Sequence, residues 1–164
     1  MRTAVLVLLT LLVQRALGLP AVHPWASEIL LPVVWVVAPA MLHHGRQRVF
    51  LGLAVGLAWD LMLEEVVGPG GVSWSAAAWA VGSVSAVVAD RSPRAWIAMG
   101  ALGAIIIVGM RQLTFLPLGL ESGFTWWHLL RTTLLTAGWC GLVGWILALD
   151  LPARWRRHRA RVLR

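Results

Sequence analysis

Apolar residues fill six long stretches of this chain, and the polar residues fall between the stretches rather than through them. A helix that spans a bilayer needs about 20 mostly apolar residues, within a range of about 17 to 25. Residues 3–19, 29–43, 49–67, 72–89, 95–116 and 125–149 meet or approach that length. The pattern predicts an all-α integral membrane protein: a six-transmembrane-helix bundle over 1–151, followed by a basic tail over 152–164. The second stretch is short, and Pro32 and Pro39 are expected to bend or break it. Membrane helices tolerate this where neighbours satisfy the freed carbonyls. The first stretch has an alternative reading as a cleaved signal peptide, because Arg2, the apolar run and Ala16-Leu17-Gly18 imitate the three signal regions. Gln14 and Arg15, just before the cleavage position, fit that reading poorly.

Composition supports lipid as the solvent, since 59% of the residues are hydrophobic against about 45–50% in ordinary soluble domains. Charge then orients the chain. The net charge of +7 rests on arginine alone, because there is no lysine. In the six-span arrangement Arg2, Arg46, Arg48, Arg91, Arg94, Arg154, Arg156, Arg157, Arg159, Arg161 and Arg164 fall on one side, while Glu28, Glu64, Glu65 and Glu121 fall on the other. Short cytoplasmic loops are enriched in positive charge, so both termini are expected in the cytoplasm. Arginine runs can signal nucleic acid, but here they occupy loops and a tail. The tail residues Arg154, Arg156, Arg157, Arg159 and Arg161 are expected to lie on anionic headgroups or on a partner protein, with no nucleic acid involved.

The stretch 49–67 is the most informative. Gly52, Gly56, Asp60 and Glu64 recur every four residues and form one helix stripe. Its glycine end permits close backbone approach, and its carboxylate end must face protein or water. Asp60 is expected near mid-membrane with Glu64 further out, and the three arginines outside the cytoplasmic loops, Arg15, Arg111 and Arg131, are its expected partners. His128 lies one turn from Arg131. Two readings stay open: an ion-pair network that ties helices together, or the floor of an outward-facing pocket. Small residues at Ala78 and Gly82 and at Gly141 and Gly144 offer further close-packing faces.

Gly68-Pro69-Gly70-Gly71 reads as a reverse turn, since no Lys-Ser or Lys-Thr follows to make a phosphate cradle. Adjacent His43 and His44 point apart on a helix and make no metal pair. The lone Cys140 offers neither a disulfide nor a zinc pattern, and no cofactor is expected. Of eleven tryptophans, Trp25, Trp74, Trp96, Trp126, Trp127 and Trp155 fall near segment ends, as an interfacial belt would. Trp35, Trp59, Trp79, Trp139 and Trp145 fall deeper and are expected to pack, with lining of a cavity or a partner groove as the alternative. Lipoprotein signal peptidases are also small basic membrane proteins, but they need two intramembrane aspartates in asparagine-containing motifs. This chain has no asparagine, and Asp60 and Asp90 are expected at different depths. No enzyme is expected.

The order of features resembles the rod shape-determining protein MreD family. The resemblance rests on a first span ending Leu11-Leu12-Val13-Gln14, a proline-containing second span, and the stretch 52–83. That stretch is similar to the family's glycine-rich third helix, with an Asp followed by leucine, then a glycine turn and a small-residue helix. Arg15, the tryptophan content and the long basic tail depart from the pattern. The resemblance implies a fold similar to the six-helix substrate-binding components of energy-coupling-factor transporters. It also implies a scaffold role in the inner-membrane complex that guides lateral peptidoglycan synthesis. The implied partners are the single-span protein MreC, the glycosyltransferase RodA with its penicillin-binding transpeptidase, and the MreB filament. The competing function is the substrate-binding subunit of a small-molecule (vitamin) transporter, because fold and function are separable.

Overall fold

The computed structural model describes residues 2–19, 26–42, 47–63, 67–88, 92–118 and 125–149, and among these there is no β-strand. Six α-helices follow one another: α1 Arg2–Leu17, α2 Val34–Leu42, α3 Gln47–Leu63, α4 Pro69–Val87, α5 Pro93–Phe115 and α6 Trp126–Ala148. Short 3-10 turns cover Ala26–Glu28, Leu31–Val33 and Leu116–Leu118. At 23 residues each, α5 and α6 reach about 35 Å, and among the described residues they are the two helices long and apolar enough to cross a membrane. The outward surface fits that solvent. Phe50, Leu61, Leu116 and Val87 are largely exposed, as are Leu113 and Leu134, and large exposed apolar areas mark surfaces that meet lipid or a partner.

Three helix boundaries are set by proline. Pro93 opens α5 behind the Ser92 cap, whose side chain accepts the Ala95 N–H at 3.4 Å. Proline has no N–H to lose at a helix start and its φ is already helical. Pro32 shortens the second segment: the expected span 29–43 is instead the Leu31–Val33 turn followed by the nine residues of α2. Helix α2 continues through Pro39. It compensates for its length by its position, with Val36, Val37, Ala40 and Met41 buried in the core.

The third case corrects the reading of Gly68-Pro69-Gly70-Gly71 as a reverse turn. These residues begin α4, with Gly68 as its N-cap at φ 128° and Pro69 in its first turn. Only glycine adopts that φ without strain. Helix α4 therefore starts three residues before the expected Val72.

Helices α3 and α4 run antiparallel at very short range. A Cβ on Gly52 would meet the Ala78 Cβ and the Trp74 carbonyl oxygen at 2.7 Å, and one on Gly56 would meet the Gly71 Cα at 2.9 Å. Higher numbers on α3 thus face lower numbers on α4. Helices α5 and α6 repeat the arrangement: Gly100 faces Ala137 and Cys140, Gly141 faces Ile97, and Gly144 faces Trp96. Ala78 and Gly82 are buried on the inner face of α4. The small-residue faces are used between helices of this chain.

The tryptophans divide differently from the sequence expectation. Trp74 and Trp96 are core residues at 1% and 2% exposure, not part of a belt, whereas Trp79 and Trp145 point outward instead of packing inside. Position along a helix does not decide burial; the face does. Trp96 stands opposite Gly144 of α6, where the missing side chain makes room for its indole, and the Trp74 backbone lies against Gly52 of α3. Trp126 and Trp127 are exposed at the start of α6, and Trp25 and Trp155 lie outside the described residues.

Candidate functional site

Asp60 is one turn from the C-terminal end of α3 and is 1% exposed. Its Oδ2 accepts the Gly68 N–H at 2.7 Å, the Gly70 N–H at 3.0 Å and the Gly71 N–H at 3.4 Å, and Oδ1 also accepts from Gly70 at 3.0 Å. Helix N-termini leave their first N–H groups unsatisfied and carry partial positive charge. Asp60 supplies the acceptor that the glycine N-cap lacks, from the neighbouring helix. A Cβ on Gly70 would fall on the Asp60 carboxylate, so the glycine is required by the contact and not only by the turn.

The expected arginine partners are distributed elsewhere in part. Arg15 donates to the Met62 carbonyl oxygen. Arg131 pairs with Glu28 at 2.6 Å, and His128 Nδ1 lies 3.9 Å from the same Glu28 oxygen. Arg111 stacks over the Phe115 ring at 5.1 Å. Glu64, the tail arginines of 152–164, His43, His44, Arg46 and Asp90 lie outside the described residues.

A cavity of about 160 Å³ gathers several of these groups. Its wall takes Trp59 and Asp60 from late α3, Gly70, Ser73 and Trp74 from early α4, Arg111 and Gln112 from late α5, and His128 and Thr132 from early α6, with Ser27 and Glu28 from the first 3-10 turn. Successive helices meet there by alternating ends, which is the up-down order of a bundle. Of the six residues expected around an intramembrane site, Asp60, Arg111 and His128 line the cavity directly, and Arg131 reaches it through Glu28.

Sequence reasoning missed what holds the segment that supplies Ser27, Glu28 and Leu30 to the cavity wall. The segment 26–33 is fastened by side chains far away in sequence. Gln14 donates to the Ser27 carbonyl at 3.1 Å and accepts the Leu31 N–H at 2.9 Å. Thr136 accepts the Leu30 N–H at 3.1 Å, and Trp139 donates to the Leu31 carbonyl at 3.2 Å. An irregular segment among apolar helices has backbone groups that must find partners, and α1 and α6 provide them. The one signal in the sequence was a glutamine and threonines inside apolar runs, each costly unless bonded.

No protein-family model, curated protein or solved structure matches the chain.

Proposed function

We propose that the chain is a multi-pass protein of the bacterial inner membrane, with six spans and cytoplasmic termini. In this reading it is a non-catalytic scaffold of the cell-elongation complex. It binds a single-span MreC-like protein and, through that assembly, the glycosyltransferase RodA, its penicillin-binding transpeptidase and the MreB filament. The names come from the resemblance carried by the end of the first span, the proline-containing second span and the stretch 52–83. The observation that carries the reading is the state of Asp60. Both its oxygens are engaged by backbone N–H groups of α4, which is the work of a structural cap rather than of an acid or base held ready for proton transfer. The outward apolar faces of α1, α5 and α6 leave surface for lipid and for a partner helix, and the small-residue faces are occupied within the chain.

The alternative, a vitamin-binding transporter subunit, calls for a pocket of about 300 Å³ or more, and the cavity of about 160 Å³ is smaller. Purification in mild detergent tests the two readings together. The scaffold reading expects a single-span protein to co-purify and cell shape to be lost when this chain is depleted. Recovery of the chain alone, holding a vitamin-sized molecule near Asp60 and Arg131, would reverse it.

A further inference from the structure

The outer face of α4 holds a tryptophan at a depth where lipid offers its N–H nothing. Helix α4 runs 19 residues from Pro69 to Val87, which puts Trp79 about 15 Å from one end and about 12 Å from the other. Trp79 is 65% exposed. Outward tryptophans in membrane proteins gather at the two interfaces, where the ring stays in apolar surroundings and the N–H meets water. Trp126, Trp127 and Trp145 lie near the ends of α6 in that way, and Trp79 does not. Among the described residues its N–H makes no hydrogen bond, whereas Trp35 donates to the Thr10 hydroxyl of α1 at 2.9 Å and Trp139 to the Leu31 carbonyl at 3.2 Å. Hydrocarbon contains no acceptor, so an indole N–H facing it stays unmet.

The acceptors are on the same face. Ser75 and Ser83 stand four positions to either side of Trp79. Each donates its O–H to a carbonyl one turn back, Ser75 to Gly71 at 2.6 Å and Ser83 to Trp79 at 2.9 Å, which leaves the hydroxyl oxygen able to accept. Val72, Ala76 and Ala86 complete the strip, so one large ring stands among small residues. This is not the face of Ala78 and Gly82, which is buried inside the chain.

We propose that two copies of this chain pair through the outer face of α4, the Trp79 N–H of each donating to the Ser75 hydroxyl of the other. A second copy is the occupant because the face complements itself: it carries the donor, the acceptor and the small residues beside which a ring can lie. Copies inserted with one topology present α4 in one direction, and a two-fold axis along the membrane normal brings equal depths together. Side chains on a helix lean toward its N-terminus, which favours Ser75 over Ser83 as the acceptor. A foreign helix would have to bring an acceptor of its own. The pairing rests on the six-span reading, because α4 must lie in lipid, and is independent of the scaffold role.

The test mixes purified full chains carrying a donor or an acceptor dye at the carboxyl end in liposomes of phosphatidylethanolamine and phosphatidylglycerol. Energy transfer is followed as added lipid dilutes the protein. A dimer is expected. Trp79→Phe keeps a ring and removes the N–H; losing two symmetric bonds at about threefold each should weaken the dimer about tenfold. Ser75→Ala should weaken it equally, and the double variant should be no weaker than either single one. Trp145→Phe, near the end of α6, should change nothing. Trp79→Cys in a Cys140→Ala background separates the two ways of failing. If this variant resists a water-soluble maleimide at high dilution while the native chain is monomeric at every dilution, the pairing is wrong, the span stands, and the face is left to another protein's helix. If it reacts, α4 is not in lipid and the pairing falls with the six-span reading. A dimer indifferent to Trp79→Phe or to Ser75→Ala, or additive losses in the double variant, would also overturn the proposed contact.

Discussion

Asp60 shows how much a single carboxylate does when a helix start lacks its own cap. Gly68 has no side chain to accept the first N–H groups of α4, and the bonds that Asp60 accepts from three of those groups span two helices. Asp60→Asn keeps one acceptor oxygen and gives up the charge that favours the N-terminal dipole, so a loss of about 1–2 kcal/mol is expected. Asp60→Leu leaves the N–H groups of Gly68, Gly70 and Gly71 without this acceptor, and the loss should exceed about 3 kcal/mol. Thermal unfolding in detergent ranks wild type above Asn and Asn well above Leu. In a shape-complementation assay the Asn variant should retain part of its function. If the two variants expressed normally and were equally inactive, proton transfer at Asp60 would have to be reopened. The carboxylate was legible in the sequence as a polar residue that cannot face lipid, but its partners were not. Backbone N–H groups exist at every residue except proline and carry no signature in the letters. The Glu28–Arg131 pair was illegible for another reason, since the two residues are joined by the bundle and not by any local spacing.

At the scale of elements, the glycines divide into those that hold helices together and those that do not. A methyl group on Gly52 would meet the Trp74 carbonyl oxygen at 2.7 Å, and one on Gly56 would meet backbone of Gly70 and Gly71. Backbone cannot swing aside as a flexible side chain can. Gly52→Ala and Gly56→Ala are therefore expected to cost about 1–3 kcal/mol or more by overpacking. At Gly109 and Gly138 an added methyl group would have nothing within 4 Å, so Gly109→Ala and Gly138→Ala should be neutral or stabilising by up to about 1 kcal/mol through helix propensity. Chemical denaturation of the four variants checks the contrast, and equal effects would mean that α3 and α4 are not in close contact. The four-residue period of Gly52, Gly56 and Asp60 made this face legible in advance. What it could not reveal was that the partner strip begins inside Gly68-Pro69-Gly70-Gly71. A glycine-proline cluster is an equally good turn, and only contact with a neighbouring helix selects its use as a helix start.

For the whole molecule, the question is which end of the bundle faces which side of the membrane. The cavity joins late α3, early α4, late α5 and early α6, so those ends lie together, and Arg94 in the first turn of α5 lies at the opposite end. The six-span reading of the sequence puts eleven arginines, Arg94 among them, on one side of the membrane, and positive charge marks the cytoplasmic side. The cavity end is therefore the expected external end. An insertion near Gly70 would break the Asp60 cap, so single cysteines are the cleaner probe. In a background where the buried Cys140 is replaced by alanine, Val67→Cys lies just before α4 and Val88→Cys just after it, at 56% and 38% exposure in the native chain. A membrane-impermeant maleimide added to intact spheroplasts should label Val67→Cys and should reach Val88→Cys only after permeabilisation. A reporter fused after Arg164 should read as cytoplasmic in the same cells. Labelling of Val88→Cys alone from outside would invert the bundle. It would also put the cavity beside Asp60 on the cytoplasmic side. A reporter that read as external while Val67→Cys labelled as expected would instead remove one span between α4 and the tail, ending the six-span reading without disturbing the α3–α4 pair.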